Sequence, residues 1–212
     1  TPNASKLLLL VLAAVTGAML VVLGVLVYDE LLASAASDAA PLSPDLGTTA
    51  RSALKPAEWV ARRWQRDAEL AGALLHQSAS CSSSCPAGWA FQFYSPTSSR
   101  TALIVTGDAE ATLVRDTLSP YPLLVVASDA WRVDSDRALE VWWAEGGSYL
   151  VKRRPTSVIS LRLGRSQDKP ERVIWTVTGS IPEEGSEFSV CVDAGTGTVV
   201  EPQGSSDAKG NR

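Results

Sequence analysis

Few side chains in this sequence can do covalent or metal chemistry. His76 is the only histidine. A Ser–His–Asp or Cys–His arrangement would have to use it, and no Gly-x-Ser-x-Gly or similar nucleophile context accompanies it. The three cysteines are Cys81, Cys85 and Cys191. Cys81 and Cys85 are close enough to form a local disulfide, to hold a metal as a pair, or to remain free thiols. Zinc needs about four ligands, and only Cys191 and His76 remain to complete a set. Haem attachment would need a Cys-x-x-Cys-His run, which is absent. An outward-facing domain favours the disulfide Cys81–Cys85. Asp129, Asp134 and Asp136 cluster, but the glycine and distal glutamate of a calcium loop are missing. Helix capping accounts for Asp134. The expectation is no catalytic residue, no cofactor site and no metal site.

The element that positions everything else is Leu7 to Val27, LLLLVLAAVTGAMLVVLGVLV, without a charged residue. As a helix it would be about 31 Å long, close to the hydrocarbon thickness of a bilayer. Lys6 precedes it, and Asp29, Glu30, Asp38 and Asp45 follow before the first basic residue, Arg51. The positive-inside rule then puts the N-terminus in the cytoplasm and the remainder outside, at the cell membrane. Ala33-Ser34-Ala35 has the small-x-small pattern of a signal-peptidase site. The apolar run exceeds the length of a signal-peptide core, which favours an uncleaved single-pass anchor. Ala13, Gly17 and Gly24 fall near one helical face, where another membrane helix can approach closely. The expected partners are therefore the lipid bilayer and other membrane protein subunits. The net charge of −4 and scattered basic residues argue against nucleic acid.

Four segments follow the anchor (residues 1–30). Residues 31–53 carry Pro41, Pro44 and Gly47 and read as a linker. Residues 54–130 and 131–201 read as two α+β halves, and 202–212 as a disordered polar tail. In the first half, Lys55-Pro56 opens a helix running to Gln77, with Ala57, Val60, Ala61, Trp64, Ala68, Ala71 and Leu75 at helical spacing. That spacing places His76 near the helix end. Trp89, Phe91 and Phe93 alternate as in a half-buried strand. Thr101–Thr106 is the returning strand, Asp108–Thr117 has no clear period, and Leu123–Ala127 is a further strand. In the second half Asp134-Ser135 caps a helix that Gly146-Gly147 ends. Strands follow at Val158–Leu163, around Trp175, around Val190 and at Thr198–Glu201. Each half thus places a helix on antiparallel strands, an internal duplication of an α+β unit.

Trp131-Arg132-Val133-Asp134-Ser135, Ala138-Leu139, Gly146-Gly147, Trp175-x-Val177 and Val192-Asp193-Ala194-x-Thr196-Gly197-x-Val199-Val200 together resemble a PepSY-type domain, over about residues 131–201. The first half is similar only in element order. The resemblance implies a helix packed on a curled, cystatin-like antiparallel sheet. It also implies an extracytoplasmic or membrane-linked regulatory, interaction or protease-inhibiting module, with no catalytic residue to carry over.

Seven tryptophans are many for this length. Trp89, Trp131, Trp142 and Trp175 fit core positions. Trp59 and Trp143 lie off the strongest apolar faces and are the candidate partner-binding aromatics. Cys191 alternates with Val190 and Val192 and faces away from them. The leading expectation is a non-catalytic, membrane-anchored extracytoplasmic binding protein, an accessory or regulatory subunit of a larger membrane complex. The alternative is an inhibitor or regulator of an extracytoplasmic protease or cell-wall enzyme.

Overall fold

The computed structural model describes residues 47–79, 88–107, 110–182 and 184–200, all within one compact unit, Ser43–Arg212. The apolar stretch with Ala13, Gly17 and Gly24, the pair Cys81 and Cys85, and the tail from residue 202 lie outside the described residues. No helix among the described residues is long and apolar enough to cross a membrane.

The fold is α+β. Helix α1 (Ala50–Trp64) precedes strands β1 (Glu69–Ser78), β2 (Ala90–Ser95), β3 (Arg100–Thr106) and β4 (Ala111–Leu118). Helix α2 (Ser135–Trp142) continues through a π-helical turn (Trp143–Gly147) into α3 (Ser148–Arg153). Strands β5 (Val158–Arg165), β6 (Val173–Ile181), β7 (Ser186–Asp193) and β8 (Val199–Val200) follow. The order helix-then-four-strands occurs twice. The expectation of a separate sheet per half is corrected: all eight strands form one sheet, β4-β3-β2-β1-β5-β6-β7-β8. The first strands of the two halves, β1 and β5, pair antiparallel at its centre.

Both helices cover the same face. The cross-strand row Ile104, Phe91, Ala73, Leu163, Trp175, Val192 is buried at every position. It joins one core with Ala53, Ala57 and Ala61 of α1 and Ala138, Leu139 and Trp142 of α2. Alanines at intervals of three and four let α1 lie close on the sheet. Trp89, Trp131, Trp142 and Trp175 are core residues as expected, each at most 3% exposed.

The helix starts are tied together. Thr49 caps α1 and Asp134 caps α2. Asp134 Oδ1 accepts from its neighbour's amide, Ser135 N–H (2.7 Å), and from Arg51 N–H of the other helix (3.3 Å). The buried Ser135 Oγ accepts from Ala50 N–H (3.0 Å). Two of the amides that every helix start leaves unpaired are thus satisfied by the opposite half. The indole N–H groups repeat the pattern. Trp89 donates to the carbonyl of Thr48, and Trp175 to that of Val133, each the residue before a cap, at separations of 41 and 42 residues. Trp175 stands edge-on to both Trp89 (6.0 Å) and Trp131 (5.9 Å).

Several boundaries differ from the sequence reading. Helix α1 starts at Ala50, inside the expected linker, so Pro56 is interior rather than first-turn. It ends at Trp64, and the segment expected to continue it is strand β1. Ala68, Ala71 and Leu75 keep helical spacing by coincidence. Leu70, Ala73, Leu75 and Gln77 are the residues that face inward, with a bulge between Leu70 and Gly72. Residues 123–127 form no strand. They run across the strand ends, where Val126 N–H donates to Leu70 O (2.6 Å). Residues 111–118 form strand β4. Gly146-Gly147 bends the second helix without ending it, with Gly146 at φ 129°.

In the turn between α1 and β1, Asp67 accepts from Ser95 Oγ (2.8 and 3.0 Å) and from Thr97 N–H (2.8 Å). Bonds from Thr97, then Ser95, lower its pKa to about 2 from 3.8. A depressed carboxylate pKa adds stability above the unfolded value that is lost as pH falls through the folded one. Asp67→Asn should therefore be less stable at neutral pH and lose less between pH 3.8 and about 2, read as urea midpoints across an acid titration. Ser135→Ala and Asp134→Ala should each cost about 1 kcal/mol in the same assay, as lost helix caps do.

Candidate functional site on the open face of the sheet

With both helices on one side, the other side of the sheet carries the alternate residue of every strand. Its central row runs Ala90, Leu74, Arg162, Thr176, Cys191, Val200 across β2, β1, β5, β6, β7 and β8. None of these is buried. Beside it, Leu103, Gln92 and Gly72 occupy the next positions on β3, β2 and β1. Gly72 sits where a Cβ would meet Leu163 O at 2.9 Å, so only glycine fits that strand crossing.

A groove of about 950 Å³ lies over this face, walled by Pro122–Leu124 and by the β5–β6 loop with Lys169 and Arg172. The walls are held in place. Arg165 Nε donates to Val125 O (2.5 Å) and its Nη1 to Pro170 O (2.6 Å). Arg172 pairs with Asp193 at 3.2 Å. Arg162 sits exposed on the groove floor between Leu74 and Thr176. Leucines, Pro122 and Ile174 supply apolar contact. The charged lining residues are Arg162, Arg165, Lys169 and Arg172 against Asp168, although the chain is acidic overall. The lining is about half polar and half apolar, with basic side chains set beside leucine and proline contacts.

A second strip of the open face is hydroxylic. His76 Nδ1 is 2.7 Å from Ser160 Oγ, and Thr178 Oγ1 is 2.7 Å from Ser189 Oγ. His76 is therefore a strand residue, not one at a helix end. Its bond to Ser160 crosses the β1–β5 seam, 84 residues apart in sequence. No carboxylate contacts the imidazole among the described residues, so the pair lacks the orienting third group of a triad. The same residues hold no cluster of three or more His, Cys, Asp or Glu able to bind a metal. Cys191 is a half-exposed free thiol 3.9 Å from Thr176 Oγ1.

The candidate aromatics separate. Trp59 is 62% exposed, with the Arg63 guanidinium 4.6 Å above its ring. Trp143 is half-buried, packed against the core and 6.2 Å from Trp142. Tyr121 and Tyr149, which the sequence reading passed over, are more exposed than either. The turn Asp193–Gly197 is closed by its own aspartate. Asp193 Oδ1 accepts from Gly195 N–H (2.8 Å) and Thr196 N–H (3.0 Å), and Gly197 takes φ 77°.

No protein-family model matches the chain, and no curated protein matches it. Among solved structures it is similar to that of a putative lipoprotein from Clostridium difficile 630, at 12% identity and a TM-score of 0.45, with 68% of this chain and 88% of that chain covered.

Because Arg162 is exposed and outside the core, Arg162→Ala should change folding stability by no more than about 0.5 kcal/mol, read by urea denaturation. Its effect on any groove ligand can then be read without a folding correction.

Proposed function

We propose that the protein is a non-catalytic binding module anchored in the cell membrane by a single N-terminal helix, Leu7–Val27. Its α+β domain stands on the extracytoplasmic side as an accessory or regulatory subunit of a membrane protein complex. The observation that carries this reading is the groove over the open sheet face. It sets the apolar wall Pro122–Leu124 against the basic β5–β6 loop and the exposed Arg162, a shaped surface for a partner segment. The twofold recurrence of helix-then-four-strands and the Asp193–Gly197 turn agree with a duplicated PepSY-like unit, a class of interaction module. The small-residue strip Ala13, Gly17 and Gly24 is the proposed contact with a partner's membrane helix.

The full-length chain, extracted from native membranes in mild detergent, should migrate with at least one further protein. Arg162→Glu should weaken the association from the groove side, and Gly17→Leu with Gly24→Leu from the membrane side. Migration of the wild-type chain as a lone monomer in every gentle detergent tried would overturn the proposal.

A further inference from the structure

Helix α1 has a second face that the fold does not use. Ala50, Ala53, Ala57 and Ala61 point into the core. On the opposite side Arg51, Lys55, Trp59, Arg62 and Arg63 are all exposed, as is Arg66 in the turn just after the helix. The intervals from 51 to 55, 59 and 62/63 follow the helical repeat, so these residues form one stripe, and Arg66 adds a further exposed cation just beyond the helix end. From Ala50 to Arg66 the chain carries five cations against the single carboxylate Glu58, in a protein whose net charge is −4. Glu58 is half-buried and Glu110 is the other acid beside Trp59, next to Pro56, Val60 and Ala111. Arg51 stacks 5.2 Å over Trp131, yet remains exposed.

Trp59 at the centre of this stripe is not explained by stability. An indole 62% exposed forgoes most of the burial that would repay its large apolar surface. A tryptophan ringed by arginine and lysine matches a lipid interface. The indole sits at headgroup level and the cations meet anionic phosphates.

We propose that α1 is a membrane-docking surface. The stripe Arg51–Lys55–Trp59–Arg62–Arg63 lies on anionic phospholipid headgroups with Trp59 inserted at the interface. This holds the domain against the bilayer in one orientation. The proposal goes beyond the anchor reading and does not depend on it.

The test uses the full-length chain in vesicles of phosphatidylcholine alone and of phosphatidylcholine mixed with phosphatidylglycerol, with brominated acyl chains as tryptophan quenchers. Quenching should appear in the mixed vesicles at low salt, fall at high salt, and stay near background in phosphatidylcholine. Trp59→Phe should remove the quenched component. Each cation reversed among Lys55, Arg62 and Arg63 should lower the docking equilibrium at least about fivefold, following the contribution of one basic residue near an anionic surface. Lys55 is exposed and clear of the last helical turn, so its reversal should leave the urea midpoint unchanged, whereas reversal of Arg62 or Arg63 in the last turn should lower it slightly through the helix dipole. Equal quenching in both lipids, or salt-independent quenching, would overturn the proposal. So would its absence from the mixed vesicles, the result expected if the stripe instead meets an acidic protein. Alkaline carbonate extraction reports on the anchor separately. A chain released by carbonate but still quenched in a salt-dependent way would remove the anchor reading and keep α1 docking.

Discussion

The start of each helix is completed by the other half of the molecule. Ala50 and Arg51 hand their amide protons to Ser135 and Asp134, which also begin α2. Unpaired amides at a buried helix start are costly, so the two helices hold their relative positions through these bonds. The β1–β5 seam, the shared sheet and the edge-on tryptophans at its centre all depend on that placement. Trp89 and Trp175 then close the chain segments leading into each helix by bonding the carbonyls just before the caps. With both helices committed to one face, the opposite face is left open. The groove is the product of this one-sided layering.

The second half was readable from its sequence because its strands alternate cleanly. Val173, Trp175, Val177 and Ile181 face the core, and the intervening Ile174, Thr176, Thr178 and Ser180 are only half-buried. Asp134-Ser135 was readable as a cap, although its service to the other helix was not, since that needs residues 83 and 85 positions away. Strand β1 was misread for a local reason. Its bulge after Leu70 breaks the period of two, and Ala68, Ala71 and Leu75 fall at intervals of three and four. Strand β4 gave no signal because it is an edge, exposed on nearly every residue. In Leu123–Ala127 only Val126 is buried, while Leu123 and Leu124 wall the groove, an arrangement without periodicity. The groove was invisible because its floor takes one or two residues from each of many strands, placed side by side only by register.

Charge is distributed unevenly over the domain. The open face gathers Arg162, Arg165, Lys169 and Arg172 around apolar walls, and α1 carries its own basic stripe on the helix side. The described residues carry 16 Lys and Arg against 15 Asp and Glu, so the chain's excess of carboxylates lies in the segments outside them. Locally basic surfaces draw anionic groups toward those places. This polarity orients an encounter before any contact forms.

Trp142 lies against the backbone of two glycines. A Cβ at Gly147 would run into its six-membered ring, and one at Gly179 would come within 2.5 Å of Cζ2. Its indole also donates to Phe188 O at 3.1 Å. The slot is therefore shared among a helix, a turn and a strand, and none of its three members can change alone. An alanine at either glycine position demands a smaller ring at 142, and a smaller ring leaves a void unless the glycines change with it. Over evolutionary time these positions are expected to vary as a linked set, so their joint substitution would mark homologues that keep this packing at sequence distances where pairwise identity has faded.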